Sequence, residues 1–276
     1  MHDVLVVGGG IFGSIIARHL RELRMSVIMI DDARPERGSA PAGCVIKPSW
    51  VSSLSKSDLH AGLDLLNQYY GVHDVEFTLI PGRKKVSAYR VEPSMILGQV
   101  DHNTYHGRAS MLTDHGHSVS FSLVNSSVLG GHARWAVVAA GLWTPELCPW
   151  VRTWGRWGWA FRGLPVSEPI ISLWAPYKQV VAFNMSDGMS WSGDGSALVE
   201  SSFRRPERLI AARSRVGRHV SKITSVMPGV RPYAAIPDKK PCLVSPHGRI
   251  IAVTGGAKNG TIAAAWAARR VEEILR

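Results

Sequence analysis

Apolar and polar positions follow three rhythms along the chain. Unbroken apolar runs at Val4 to Val7 and Val27 to Ile30 predict short buried strands of a parallel sheet. Between them Ile11, Ile15, Ile16, Leu20 and Leu23 recur at helical spacing, so a helix is predicted to about Arg24. A second helix is predicted from Ser55-Lys-Ser-Asp58 through Leu59, Leu63, Leu66 and Tyr70, with Gly71 ending it. Alternation then takes over: strands at Val75 to Ile80 and Val86 to Val91 around the basic turn Arg83-Lys-Lys85, and a hairpin from Arg108 to Leu123 turning at Asp114-His-Gly116. Ala133 to Ala140 is a buried strand entering a glycine turn. Ile170 to Trp174, Gln179 to Phe183, Met189 to Trp191 and Ala197 to Ser201 read as strands of a second sheet. Pro206 to Ile223 is an amphipathic helix, and strand Ile250 to Thr254 leads through Gly255-Gly-Ala-Lys-Asn-Gly-Thr261 into an alanine-rich helix.

The first turn carries chemistry. Gly8-x-Gly10-x-x-Gly13 follows the first strand at once, and Asp31, at the end of the second strand, lies twenty-three positions after Gly8. Gly8 permits a tight exit from the strand, Gly10 lets backbone approach a pyrophosphate, and Gly13 lets the helix sit close to the sheet. The helix N-terminus offers unpaired N–H groups to phosphates. Asp31 accepts hydrogen bonds from ribose hydroxyls. A plain packing turn would explain the glycines alone; strand, helix and spaced acid together predict a dinucleotide site.

Composition bounds the rest. The 276 residues can hold one large or two medium domains, and 45% hydrophobic with 19% charged residues describes a folded globular chain. Cys44, Cys148 and Cys242 are odd in number and lack metal or disulfide spacing, which suits a reducing cytoplasm. No apolar run approaches a membrane span, and no signal peptide is read at the start. His102, His106, His115 and His117 are spaced irregularly and read as loop histidines, so no metal is expected.

The net charge of +11 attracts polyanions. Two stretches concentrate it. Trp150-Val-Arg-Thr-Trp-Gly-Arg-Trp-Gly-Trp159 interleaves tryptophans with arginines and reads either as a packed strand at a domain junction or as a nucleic-acid-stacking segment. Arg204, Arg205, Arg208, Arg213, Arg215, Arg218 and Lys222 would form one face of the 206–223 helix, balanced only by Glu207, and are candidates for phosphate binding; a merely solvated face is the alternative.

Gly8 to Gly13 with Asp31, Ser39 to Val45, Val91-Glu-Pro93, Val137 to Trp143, Gly229 to Pro232 and Gly256 to Thr261 occur in the order found in the D-amino-acid oxidase family of FAD flavoproteins, and the chain resembles glycine oxidase and sarcosine oxidase over nearly its whole length. The resemblance implies an α/β architecture: a glutathione-reductase-type FAD-binding Rossmann domain over 1–46, 130–150 and 228–276, and a smaller mixed or antiparallel substrate domain over 47–129 and 151–227. It implies non-covalent FAD. Gly8, Gly10, Ile11, Phe12, Gly13, Asp31 and Asp32 would hold its adenosine diphosphate half. Ser39, Gly43, Cys44, Val45, Ala140 and Gly141 would line the flavin, and Gly256, Lys258, Asn259, Gly260 and Thr261 would close on its pyrimidine end.

In the same resemblance Arg231, within Gly-Val-Arg-Pro, clamps a substrate carboxylate, for which its planar fork is suited. Lys258 stands where glycine oxidases carry an arginine and would be a second contact. The implied chemistry is oxidation of a carbon–nitrogen bond, hydrolysis of the imine and reoxidation by molecular oxygen. The chain is shorter than usual members between Val45 and Val91. With the basic surface, this suggests an amine carried on a nucleic acid, as for the similar oxidase domain of the tRNA wobble-uridine modification enzyme: a glycine-type amine on a pyrimidine of DNA or RNA, cleaved to an aminomethyl base and glyoxylate. A free small amino acid (glycine, sarcosine or a D-amino acid) or a partner protein under maturation are the alternative substrates.

Overall fold

The computed structural model describes residues 1–34, 38–39, 42–97, 104–124, 130–175, 178–236 and 240–276. Its strands are β1 His2–Val7, β2 Val27–Asp31, β3 Val45–Ile46, β4 His73–Ile80, β5 Lys84–Arg90, β6 Thr104–His106, β7 Ala109–Asp114, β8 Val119–Leu123, β9 Gly130–Val138, β10 Thr153–Gly163, β11 Ile170–Ala175, β12 Lys178–Asn184, β13 Ser190–Gly193, β14 Ile223–Ala234, β15 Leu243–His247 and β16 Ile250–Thr254. The helices are α1 Ile11–Glu22, α2 Lys56–Tyr70, α3 Pro93–Leu97, α4 Glu200–Phe203, α5 Pro206–Val216 and α6 Gly260–Leu275.

These strands form two sheets. The first runs β15-β16-β9-β1-β2-β6, with the β7–β8 hairpin joined through β8 to β9. Its centre is parallel: Val4 sits between Val27 of β2 and Trp135 of β9, and β16 lies parallel to β9. Both faces are covered, so its central strands carry unbroken apolar runs, Val4 to Val7, Val27 to Ile30 and Ala136 to Val138. Val4, Val6, Val27 and Met29 face α1 and α6, while Leu5, Val7, Ile28 and Ile30 face a layer containing Val119, Phe121, Cys148 and Val151. Ala263, Ala264, Ala267 and Ala268 give α6 a small-residue face that is fully buried with Ile15, Ile16 and Leu20 of α1.

The second sheet runs β14-β10-β13-β12-β11-β4-β5-β3. Its longest ladder pairs β10 with β14 antiparallel from Thr153↔Ala234 to Gly163↔Ile223. One face of that ladder, with Trp159, Phe161 and Val226, packs under Ala212 and Val216 of α5.

Several sequence expectations need correction. The hairpin read from Arg108 to Leu123, placed with the substrate domain, joins the first sheet. Helix α2, also placed there, packs Leu65, Leu66 and Tyr70 into the core shared with α1 and α6. Ala197–Ser201 is not a strand: Leu198 makes one isolated bridge to Trp157, and α4 begins at Glu200. The helix expected to Ile223 stops at Val216, because Gly217 caps it and Ile223 already belongs to β14. Strand β15 and helix α3 were not foreseen. His102 lies outside the described residues. Among the described residues no helix is long and apolar enough to cross a membrane.

Candidate functional site

The site grows from the carboxyl end of β1. Gly8 has φ +106°, and a Cβ there would stand 2.5 Å from the Ala139 carbonyl oxygen, so the turn presses backbone against the end of β9. A Cβ on Gly13 would fall 1.7 Å from the Gly8 carbonyl oxygen, which is why the first turn of α1 can close over the strand only with glycine there. The Ile11 amide, first in that helix, donates to Ser39 Oγ at 2.9 Å. Phe12 lies against Gly256, where a Cβ would be 2.5 Å from its ring, and so joins the N-terminal glycine turn to the C-terminal one.

Both turns line one cavity of about 300 Å³ between the two sheets, within the range of ligand clefts. Of the residues named from sequence, Gly8, Gly10, Ile11, Phe12, Asp31, Asp32, Ser39, Gly43, Cys44, Val45, Ala140, Gly141, Arg231, Gly256, Lys258, Gly260 and Thr261 line it. Gly13 supports the turn from below, and Asn259 sits at the N-cap of α6 rather than on the wall.

At the end near Asp31 the charges are paired. Arg34 bonds Asp32 at 2.5 Å and Glu146 at 3.0 Å, its guanidinium lies 4.6 Å from the Trp143 ring centre, and Arg108 reaches the same Glu146 at 2.9 Å. Partial burial opposes ionisation of Glu146, but the hydrogen bonds and charges of Arg34 and Arg108 hold its carboxyl below the usual range. None of Arg34, Arg108, Trp143 and Glu146 was foreseen as a wall residue; they come from three separated segments, Trp143 and Glu146 sharing the turn Gly141–Glu146.

The opposite end is different. Trp191 lies under Gly43, whose Cβ would stand 2.9 Å from the ring. Cys44 is buried, and burial pushes its thiol up to about 11 despite a hydrogen bond with Thr261, so it stays protonated. Arg231 extends over Gly158 and donates from Nη1 to the Ser196 carbonyl at 2.6 Å. Burial lowers the pKa of Arg231, and it lowers that of Lys258, which is pushed down further by the charge of Arg231. Arg156 stands directly across the ladder from Arg231. Among the described residues no carboxylate lies within 4 Å of any of these three cations. Asp194 acts on Arg231 from a distance but is already paired with Arg215; gathering like charges is unfavourable, and an anionic ligand offsets that cost.

The Ser196 carbonyl is itself held. Its amide donates to Asp194 Oδ1 at 3.1 Å and its hydroxyl to Oδ2; Arg215 Nη2 reaches Asp194 Oδ2 at 2.6 Å and Ser196 Oγ at 3.3 Å. Asp194 is fully buried, and Arg215 stacks 4.1 Å from the centre of Trp174, whose Nε1 donates to the Asp194 carbonyl. Arg215 therefore points inward and is not part of an exposed basic face, a correction to the sequence reading: residue 215 follows Val216 and Ala212 toward the core. Arg204, Arg205, Arg208 and Arg213 are exposed, with Arg204 bonded to Glu200 at 2.6 Å.

No protein-family model matches the sequence, and no curated protein matches it. Solved structures do share its fold. Glycine oxidase from Bacillus cereus is 14% identical, with a TM-score of 0.74 over 100% of this chain and 95% of that one. L-alpha-glycerophosphate oxidase from Mycoplasma pneumoniae, a structure with FAD bound, is 12% identical with a TM-score of 0.78 over 99% and 94%. Iminodiacetate oxidase from Chelativorans sp. BNC1 is 16% identical with a TM-score of 0.66 over 96% and 93%. The fold of this chain is thus that of FAD-dependent oxidoreductases of the D-amino-acid oxidase type.

Proposed function

We propose that this protein is an FAD-dependent oxidoreductase that oxidises the carbon–nitrogen bond of an amine bearing a carboxylate. The observation that carries this reading is one cavity with a phosphate-type glycine turn and Asp31 at one end and the cations Arg231 and Lys258, neither in a direct ion pair among the described residues, at the other. Similar solved structures act on glycine and iminodiacetate by name, and one holds FAD.

The residues fit such a cofactor. The α1 N-terminus and the backbone at Gly8 to Gly10 would receive the diphosphate, Asp31 the ribose, and the segments Gly43–Val45 and Lys258–Thr261 the flavin. When bound, FAD supplies the acceptor for the hydride leaving the carbon beside nitrogen, and water hydrolyses the imine so produced. Arg231 and Lys258 hold the carboxylate and fix which carbon meets the acceptor. The described carboxylates on the wall, Asp31, Asp32 and Glu146, belong to the opposite end, so among the described residues no wall carboxylate stands by as a base beside Arg231. Molecular oxygen would be the final acceptor of the electrons.

The finer reading is a glycine-type amine on a pyrimidine of a nucleic acid, supported by the +11 charge and the exposed Arg205, Arg208 and Arg213. Anaerobic mixing with glycine, sarcosine and an oligonucleotide carrying a glycyl-aminomethyl pyrimidine tests both levels. Flavin bleaching by any of them supports amine oxidation, and bleaching by the oligonucleotide alone supports the nucleic-acid substrate. Bleaching by free amino acids alone returns the substrate to that class; none by any amine overturns the oxidase reading.

A further inference from the structure

The tryptophan-rich strand β10 divides between two faces. Trp157 and Trp159 point to the α4–α5 side, where Trp159 stacks on Phe203 at 4.5 Å between ring centres. Trp154, Arg156 and Gly158 share the other face, since alternate residues of a strand do, and their partners across the ladder are Tyr233, Arg231 and Gly229. Directly paired residues lie on one side of a sheet. That side borders the cavity: Gly158, Gly229 and Arg231 line it, and Trp154 and Tyr233 continue the same face just beyond its lining.

Along this face the rungs run from glycine to charged to aromatic. Gly158 and Gly229 carry no side chain, and at Gly158 the room is taken by the Ser196 carbonyl and the Arg231 guanidinium. Arg231 follows. One further rung out, about 7 Å along the strand, Trp154 and Tyr233 stack with ring centres 6.1 Å apart and planes 18° from parallel. Trp154 is 44% exposed. Tyr233 is two residues from Arg231 on the same strand, so this pair adjoins the anion clamp.

From this arrangement we infer that the Trp154–Tyr233 pair is a stacking subsite for a planar aromatic group attached to the substrate nitrogen. The inference rests on the proposed amine oxidation and names its substrate class: an N-(arylmethyl)glycine, with the carboxylate on Arg231 and Lys258 and the ring on the outer rung. Stacking of a flat ring on an aromatic side chain is sequence-tolerant, so the subsite accepts nucleobase-sized heteroaromatics and phenyl rings alike.

The test uses thioether analogues that cannot undergo the carbon–nitrogen oxidation. Calorimetric titration of the flavin-loaded protein with (benzylthio)acetate and (methylthio)acetate should show the aryl compound binding about tenfold more tightly. Trp154→Ala should bring the two affinities together, and Trp154→Phe should restore most of the difference. Equal affinities in the unchanged protein, or a preference that survives Trp154→Ala, would overturn the subsite, as would failure of both compounds to bind. Bleaching by sarcosine is read separately, so failure of the oxidase reading is distinguishable from failure of this one.

Discussion

The two ends of the cavity are built from opposite materials. At the Asp31 end recognition is a matter of backbone: a glycine turn pressed against β9, a helix N-terminus, and side-chain charges neutralised in the chain Asp32–Arg34–Glu146–Arg108. At the Arg231 end recognition is a matter of side chains: among the described residues neither Arg231 nor Lys258 has a carboxylate in direct contact, and Asp194, which acts on Arg231 from behind Ser196, is already paired with Arg215. A surface meant for a resident group is thus complete in itself, whereas one meant for a passing anion keeps its charge for the ligand.

The sharpest way to break the first half is Gly13→Ala. Its Cβ must displace the Gly8 carbonyl, with a loss of about 3 kcal/mol, and purified protein should carry no flavin absorbance and melt early. Retention of full flavin would show that the turn is not where the cofactor is held.

Removing the support beneath Arg231 should come next. Arg215→Met leaves the fully buried Asp194 carboxylate without its partner, which costs about 3 kcal/mol. Thermal denaturation should show the loss, and Arg215→Lys should recover part of it. An unchanged melting temperature would mean that Asp194 is accommodated by protonation or water.

The legibility of the two ends in sequence follows the same division. The glycine turn, its helix and Asp31 occupy one continuous stretch whose spacing is dictated by local geometry, and they lie where they were expected. Arg231, Lys258 and Thr261, named by motif order, line the same cavity. By contrast, Arg34, Glu146, Trp191 and the Asp194–Ser196–Arg215 support come together only through pairing of distant strands, which no local rhythm records. The inward turn of Arg215 was hidden for the same reason: on a helical wheel it belongs with its basic neighbours until Asp194 arrives from the β13 end. The β7–β8 hairpin was assigned to the wrong sheet because alternation identifies a strand but not its partner.

A smaller effect separates the two cations. Lys258 has its pKa lowered by burial and by Arg231, so its charged form is disfavoured in the free protein and favoured by a bound carboxylate. Affinity for (methylthio)acetate should be full below that lowered pKa and fall as pH rises through it, at a lower pH than an ordinary lysine gives. Lys258→Met should remove this limb of the profile and weaken binding about tenfold; an unaltered profile would exclude Lys258 from the clamp.

The smallest change in stability is expected on the exposed arginines. Arg208→Glu with Arg213→Glu should alter stability by under about 0.5 kcal/mol each and leave flavin content intact, while weakening salt-sensitive oligonucleotide binding measured by anisotropy. Unchanged binding would remove α5 from any nucleic-acid surface.

The most direct measurement of the shared cavity is the flavin spectrum during titration with (methylthio)acetate. A ligand held by Arg231 beside the cofactor should perturb the flavin bands saturably, and Arg231→Met should abolish the perturbation while the protein stays yellow. Saturable binding with no spectral change, or an undiminished change in Arg231→Met, would contradict the placement of both ends in one site.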